Sequence, residues 1–140
     1  MKPKQFIEKE YKRFYPIFVK ILGKDTTYEK DLKRVAKKLF GDKFKGLYAR
    51  DDIQMKNIES NGYYIINTGT RKQGGEHWCA IADNLFFDSF GRTSNKLGFG
   101  NYKNTEEDHE QTIDELTCGA HSMCFLYLYQ KYGEEFCKYI

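Results

Sequence analysis

Residues 77–88, with the sequence HWCAIADNLFFD, decide how the centre of this chain folds. Two short runs of apolar and aromatic residues flank the pair DN at positions 83 and 84, which tolerates the positive φ angles of a tight turn. The pattern therefore predicts an antiparallel hairpin in which Cys79 faces Asp88. Residues two apart along a strand share a face, so we expect His77 and Asp88 to lie diagonally across that face.

A second informative stretch begins at Cys118. Residues 120–132, AHSMCFLYLYQKY, are apolar nearly all round, which predicts a helix buried on most sides. Thr117 is a candidate cap for this helix, and Gly119 keeps the backbone beside the thiol uncrowded. A cysteine at the positive end of a helix dipole, near an imidazolium, is favoured in its thiolate form, which is the species that attacks.

Four groups that a thiol enzyme needs occur together in this chain. A thiolate requires a base, a group that orients the base, and donors that hold the oxyanion formed on the attacked carbonyl. Cys118, His77 and Asp88 are the candidates for nucleophile, base and orienting group. Gln111, seven residues before the cysteine, can offer its side-chain amide to the oxyanion, together with backbone N–H groups near Gly119.

These residues resemble the adenains, the adenovirus maturation protease family, and their relatives in virophages, large DNA viruses and virus-like transposons. The order His, acid, Gln, Cys is that of the adenain and SUMO-protease clan, and the interval from Gln111 to Cys118 is similar to that of adenains. Aspartate at position 88 is more similar to SUMO proteases, since adenains carry glutamate there. The matching motifs lie within residues 46–133: Gly46–Arg50, Ile66–Gly69, Gly74-Gly75 before His77-Trp78, Phe87–Gly91, and Gln111 to Cys118-Gly119.

The resemblance implies an α+β fold in which a small mixed sheet packs on a central helix that bears the catalytic cysteine. It also implies extra N-terminal helices and a papain-like site reached through a permuted chain order. Such a protein would be a cysteine endopeptidase that cuts viral capsid or core precursors near small residues such as glycine. We expect it to act as a monomer, without a metal or cofactor, in the virion and the host-cell cytoplasm or viral factory. By the same resemblance, Gly119, Trp78 and Gly75 would border the oxyanion hole or the substrate cleft.

Length and charge suggest how the chain is organised. At 140 residues we expect one domain, with a basic helical part at 1–45 and a catalytic core at 46–140. Residues 1–45 contain 14 Lys and Arg against 6 Asp and Glu, a net charge of +8, whereas the remainder has a net charge of −5. The basic part could track nucleic acid, or it could present the solvated faces of ordinary amphipathic helices.

Local patterns predict the remaining elements. Two helices are expected at about 4–22 and 27–40, the second opening with a candidate capping box, TTYE at 26–29, and ending at Gly41. Residues 63–67, YYIIN, predict a buried strand, and the long aperiodic stretch 90–110 predicts a functional loop. The chain has neither a signal-peptide pattern nor an apolar run of about 18 residues, so we expect a non-secreted protein with reduced cysteines.

Several alternatives stay open at this point. A SUMO- or ubiquitin-type deconjugating protease, or an acyltransferase, could use the same residues. A nucleic-acid-binding virion protein could act through the basic part alone. A zinc site is a further hypothesis, since cysteine and histidine recur near and after the predicted helix start, at Cys118, His121, Cys124 and Cys137.

Overall fold

The protein has an α+β architecture in the computed structural model, which describes residues 2–24, 28–73, 77–106, 110 and 116–140. Its described α-helices and strands, in chain order, are α1 (Pro3–Leu22), α2 (Glu29–Phe40), β1 (Phe44–Tyr48), β2 (Tyr63–Asn67), β3 (Trp78–Ala82), β4 (Leu85–Phe87), β5 (Lys103–Asn104), α3 (Cys118–Tyr132) and α4 (Glu134–Cys137). The predicted strand at 63–67 is therefore confirmed, and the predicted helix at 120–132 begins two residues earlier, at Cys118.

The five described strands form one mixed sheet in the order β1-β2-β3-β4-β5. Strands β2, β3 and β4 pair in antiparallel fashion, whereas β1 runs parallel to β2 and β5 runs parallel to β4. The sequence did not predict β1, because Lys45 and Gly46 interrupt its apolar pattern and its register shifts between Phe44 and Gly46. The mixed sheet itself is as predicted.

The β3–β4 hairpin has the register expected from its turn. Ala82 pairs with Leu85, and the two preceding pairs follow in step. Asp83 and Asn84 form the loop with φ angles of 46° and 83°, the left-handed values that such a turn requires. The Asp83 carboxylate also accepts a hydrogen bond from the Gly62 N–H at 2.6 Å, which fixes the turn against the start of β2.

Each face of the sheet is covered differently. The helices pack on one face, where residues from both sides of the predicted 45/46 boundary, such as Ile7, Leu32 and Phe125, belong to one hydrophobic cluster. The opposite face carries a smaller cluster that includes Cys79, Ile81 and Phe86, and irregular segments cover it with residues such as Leu97 and Phe99. Alternate residues of β3 therefore face different apolar environments.

The N-terminal helices differ from their predicted starts. Helix α2 begins at Glu29, with Tyr28 as its N-cap, so the predicted capping box is wrong in its placement; residues 26 and 27 lie outside the described residues. The helix ends at Gly41 as predicted, where φ is 55°. Thr117 does occupy the N-cap position of α3, but it contributes no side-chain cap: its Oγ1 lies 2.6 Å from Tyr15 Oη, within hydrogen-bond distance.

Two further predictions concern the thiols and the membrane. All four cysteines are free thiols, as expected for a chain without a disulfide framework. Within the described part of the chain, no helix has both the length and the apolar character needed to cross a bilayer.

Candidate active site

The side chains of His77 and Asp88 meet at one end of the β3–β4 hairpin. His77 Nε2 donates to Asp88 Oδ1 at 2.5 Å, which confirms the diagonal contact expected from the register. The His77 side chain is 9% exposed and that of Asp88 is 0% exposed, so water does not compete for this hydrogen bond. The Thr68 N–H donates to the His77 carbonyl at 2.9 Å and holds the histidine backbone beside β2.

Cys118 approaches this pair from the helical side of the sheet. It is the first residue of α3 and is half-buried, and its Sγ accepts a hydrogen bond from the Trp78 N–H at 3.4 Å. Ser122, one turn further along α3, donates to the Trp78 carbonyl at 3.1 Å and so joins the helix to β3. These two contacts hold the Cys118 thiol beside Trp78, the residue that follows His77.

The charges of the site reinforce one another. Burial works against a charged imidazole, but hydrogen bonds to Asp88, Cys118 and Cys79 outweigh it and hold the pKa of His77 above its ordinary value. Burial likewise works against a charged Asp88, but hydrogen bonds from His77 and Arg92 hold the pKa of that carboxyl well below its usual range. The pair therefore favours an imidazolium beside a carboxylate, and an imidazolium favours a thiolate nearby.

Arg92 is a site residue that sequence reasoning missed. Its Nε donates to Asp88 Oδ2 at 2.7 Å, and its backbone N–H donates to the same oxygen at 3.1 Å. The signal for this contact was a basic residue four positions after the carboxylate, in a short turn that contains Gly91. That signal is weak without the structure, because charged pairs at this spacing are common on protein surfaces.

Phe90 connects the same residues from another side. Its ring stacks on the His77 ring, with centroids 4.7 Å apart and an interplanar angle of 24°. The guanidinium carbon of Arg92 lies 5.2 Å from the Phe90 centroid, within the range of a cation–π contact. Phe90 thus contacts both the imidazole of His77 and the guanidinium of Arg92.

Cys79 gives the site a second, buried thiol. It is 0% exposed, and its Sγ lies 3.7 Å from Asp88 Oδ1. Among the described residues, His77, Cys79 and Asp88 are the only group whose donor atoms lie within 4.8 Å of one another and could hold a metal ion. However, both oxygens of Asp88 already accept hydrogen bonds from cationic side chains, and the Arg92 charge opposes a second cation.

The hypothetical zinc set of Cys118, His121, Cys124 and Cys137 is not brought together as such a group. His121 is instead fully buried, with its Nδ1 2.6 Å from Tyr11 Oη and its ring stacked on Tyr15. The structure thus places two tyrosine side chains beside this histidine.

The remaining predicted residues are placed as follows. Gly119 is the buried second residue of α3, and Trp78, whose side chain belongs to the core on the helical face, donates its backbone N–H to the Cys118 thiol. Gln111 and Gly75 lie outside the described residues. The nearest described neighbour of Gln111 is Glu110, whose N–H donates to the Ser89 carbonyl at 2.8 Å, next to Asp88.

The structure thus brings a thiol, an imidazole and a carboxylate to one end of the β3–β4 hairpin. Chemically, such a group can deprotonate the thiol, hold the resulting charge pair and return a proton to a leaving group. A comparison of the chain with protein-family models gives no match, and a comparison with curated proteins gives none either.

Proposed function

We propose that this protein is a cysteine endopeptidase with Cys118 as its nucleophile. The observation that carries the proposal is the buried His77–Asp88 hydrogen bond of 2.5 Å, beside a half-buried cysteine that begins a helix. A purely structural cysteine at a helix start would need neither a buried imidazole nor a carboxylate next to it. Groups of this kind, with charges arranged to perturb one another, cluster at catalytic sites.

In the proposed reaction, the Cys118 thiolate attacks the scissile carbonyl and forms a tetrahedral oxyanion. Gln111 and backbone N–H groups near Cys118 and Gly119 would hold that charge. Protonated His77 then gives its proton to the departing amine, which leaves an acyl-enzyme. His77 next removes a proton from water, whose attack releases the acid and frees the thiolate, while Asp88 orients the imidazole throughout.

The substrate proposal rests on the sequence resemblance to adenains. By that resemblance the fold is adenain-like with a papain-like site, and the substrates are viral capsid or core precursors cut near small residues such as glycine. The enzyme would act as a monomer in the virion, and in the host-cell cytoplasm or viral factory. Support comes from the combination of motifs around Gly46–Arg50, His77, Asp88 and Cys118, which is more specific than any one of them.

Purified protein incubated with the cognate capsid precursors tests this function directly. New termini found by mass spectrometry, near small residues and absent with Cys118→Ala, are the expected result. Cys124→Ala is the matched control, because it removes a buried thiol of the same helix outside the site. Cleavage of folded SUMO or ubiquitin conjugates, with the precursors left intact, would identify a deconjugating protease instead. Thiol-independent or absent cleavage would contradict the proposal.

The basic part at 1–45 is proposed to bind nucleic acid, because α2 carries neighbouring lysines on its surface. Lys37 and Lys38 are exposed and Lys33, one turn earlier, is half-buried, so together they present a basic stripe. Binding to packaged nucleic acid would confine the enzyme with its substrates and raise their local concentration. A nucleic-acid-binding virion protein without enzymatic activity is the alternative that the basic stripe alone would favour.

Reversing the charge of Lys33, Lys37 and Lys38 to glutamate is expected to weaken DNA binding by at least about tenfold and to reduce its salt dependence, because each phosphate contact releases counterions. Cleavage of a short peptide should not change. Fluorescence anisotropy with labelled DNA over a series of salt concentrations measures the effect. The same reversal at three exposed lysines of the catalytic part, Lys56, Lys72 and Lys96, is the matched control. An equal loss of affinity in both triple variants would show that net charge, not the stripe, binds DNA.

A further inference from the structure

We infer that Arg92 is a positioning residue, which holds Asp88 by its second oxygen and supports the His77 ring through Phe90. The inference rests on the proposed function, because it assigns a role within the same site. Arg92 does not contact a reacting atom in this arrangement. It acts through Asp88 and Phe90, which in turn orient the His77 ring.

The Asp88 carboxylate is held by both of its oxygens. The χ2 torsion of an aspartate has a broad energy minimum, so a carboxylate held by one oxygen can turn easily. In Asp88, Oδ1 accepts from His77 Nε2, while Oδ2 accepts from both Nε and the backbone N–H of Arg92. A rotation that broke the His77 contact would also break two others, in a place where the carboxylate is 0% exposed and water cannot replace them.

The plane of the His77 imidazole is supported by a stacked phenyl ring. A hydrogen bond through Nε2 alone leaves the ring free to tilt about that bond. The Phe90 ring, at 4.7 Å and 24°, restricts this tilt from one side of His77. Because the Arg92 guanidinium lies over the same phenyl ring, one cation supports both the carboxylate and the stacked pair of rings.

Arg92 also places a permanent positive charge beside Asp88. The titratable groups that face Asp88 are His77, Cys79 and Arg92, and of these Arg92 is the one whose charge does not change over the working pH range. Its side chain is 34% exposed, so part of its field is screened by solvent. Even so, hydrogen bonding by Arg92 helps to hold the pKa of Asp88 below its usual range. Loss of Arg92 should therefore allow Asp88 to take up a proton at a higher pH.

The test compares Arg92→Ala with Arg92→Lys, Phe90→Leu and a matched control, Arg50→Ala. Like Arg92, Arg50 is half-buried and lies over a phenyl ring, Phe99, at 4.7 Å. It donates to the Thr68 and Leu97 carbonyls, and within the described part of the chain its hydrogen bonds do not involve the side chains of His77, Asp88 or Cys118. Arg50→Ala thus reports the cost of losing a partly buried arginine without the positioning role.

The first readout needs no substrate. In ¹H–¹⁵N NMR spectra that select histidine side chains, a short hydrogen bond to a carboxylate moves the imidazole N–H proton far downfield. We expect Arg92→Ala to broaden or shift the His77 Nε2–H signal, Phe90→Leu to shift it less, and Arg50→Ala to leave it in place. An unchanged signal in folded Arg92→Ala would overturn the inference.

The second readout is kinetic. Arg92→Ala should lower kcat by about tenfold with little change in KM, since positioning acts on the transition state. It should also move the acid limb of the pH profile to higher pH, and Arg92→Lys should restore that limb because it restores the charge. If wild-type cleavage depends on Cys118 but none of these quantities changes, the Arg92 inference fails and the proposed function stands. If the wild type shows no cleavage while the His77 signal still depends on Arg92, the proposed function fails and the positioning role stands.

Discussion

Replacing His77 with alanine is expected to lower kcat/KM for a peptide substrate by about 10⁴-fold or more, because it removes both the base that forms the thiolate and the acid that protonates the leaving amine. The same variant should slow alkylation of Cys118, since no imidazolium remains to hold the thiolate. Initial-rate kinetics and the rate of alkylation measure the two effects independently.

The fold should survive this change. The His77 side chain lies at the end of the hairpin, and the backbone hydrogen bond from the Thr68 N–H to its carbonyl does not depend on the side chain. Thermal unfolding followed by circular dichroism provides the check. A folded His77→Ala protein that cleaves peptides at the wild-type rate would exclude His77 from the mechanism.

Asp88→Asn is expected to reduce turnover by about 10²- to 10⁴-fold, and to be at least about tenfold less damaging than His77→Ala. An amide oxygen can still accept a hydrogen bond from His77 Nε2, so the ring keeps part of its orientation. The charge that stabilises the imidazolium is lost, and Arg92 is left facing a neutral group. Kinetics at several pH values measure the change, and an Asp88→Ala variant as active as the wild type would contradict the assignment of the orienting group.

The same substitution has a pH-dependent effect on stability. The pKa of Asp88 is depressed in the folded state. Its contribution to the free energy of unfolding is therefore present above the ordinary aspartate pKa and is lost as the pH falls through the folded-state pKa. The pKa of His77 is raised in the folded state. Its contribution to the free energy of unfolding is therefore fully present below the ordinary histidine pKa and declines as the pH rises above that ordinary value. The difference in unfolding free energy between wild type and Asp88→Asn should therefore be largest between about pH 3.9 and about pH 6.5. Urea titrations that extend at least about one pH unit below and above this range measure it, and a difference that stays constant over that wider span would exclude the charge pair as its cause.

The sequence predicted the hairpin and the relation between His77 and Asp88 because those depend on local rules. The two-residue turn at Asp83 and Asn84 sets the register, and the register decides which side chains share a face. The helix that begins at Cys118 could also be predicted from the sequence, since a run that is apolar on nearly all sides favours a buried helix. Both features needed no knowledge of distant contacts.

The missed features depend on partners far away in the chain or on irregular backbone. Strand β1 pairs in parallel with β2, and a long connection separates the two strands in the chain. The interrupted apolar pattern of β1 does not by itself predict a strand. The contact of Arg92 with Asp88 arises in a turn without periodicity, where no face can be assigned from spacing. The contact of Tyr15 with Thr117 joins α1 to the start of α3, which is a tertiary contact that no capping rule anticipates.

The relative reactivity of the four cysteines tests the central assignment most directly. Burial raises the pKa of Cys79 to about 11 and that of Cys137 to about 12, and it raises the pKa of Cys124 well above its ordinary value. Cys118 alone among them is half-buried, and it lies at the start of a helix, where its Sγ accepts a hydrogen bond from the backbone N–H of the residue after His77. Iodoacetamide labelling followed by peptide mapping, with glutathione as the reference for an unactivated thiol, gives all four rates in one experiment.

The predicted result is that Cys118 reacts faster than glutathione and far faster than the other three cysteines. His77→Ala should remove this advantage. Alkylation of Cys118 no faster than that of glutathione, and at the same rate in wild type and His77→Ala, would contradict the account.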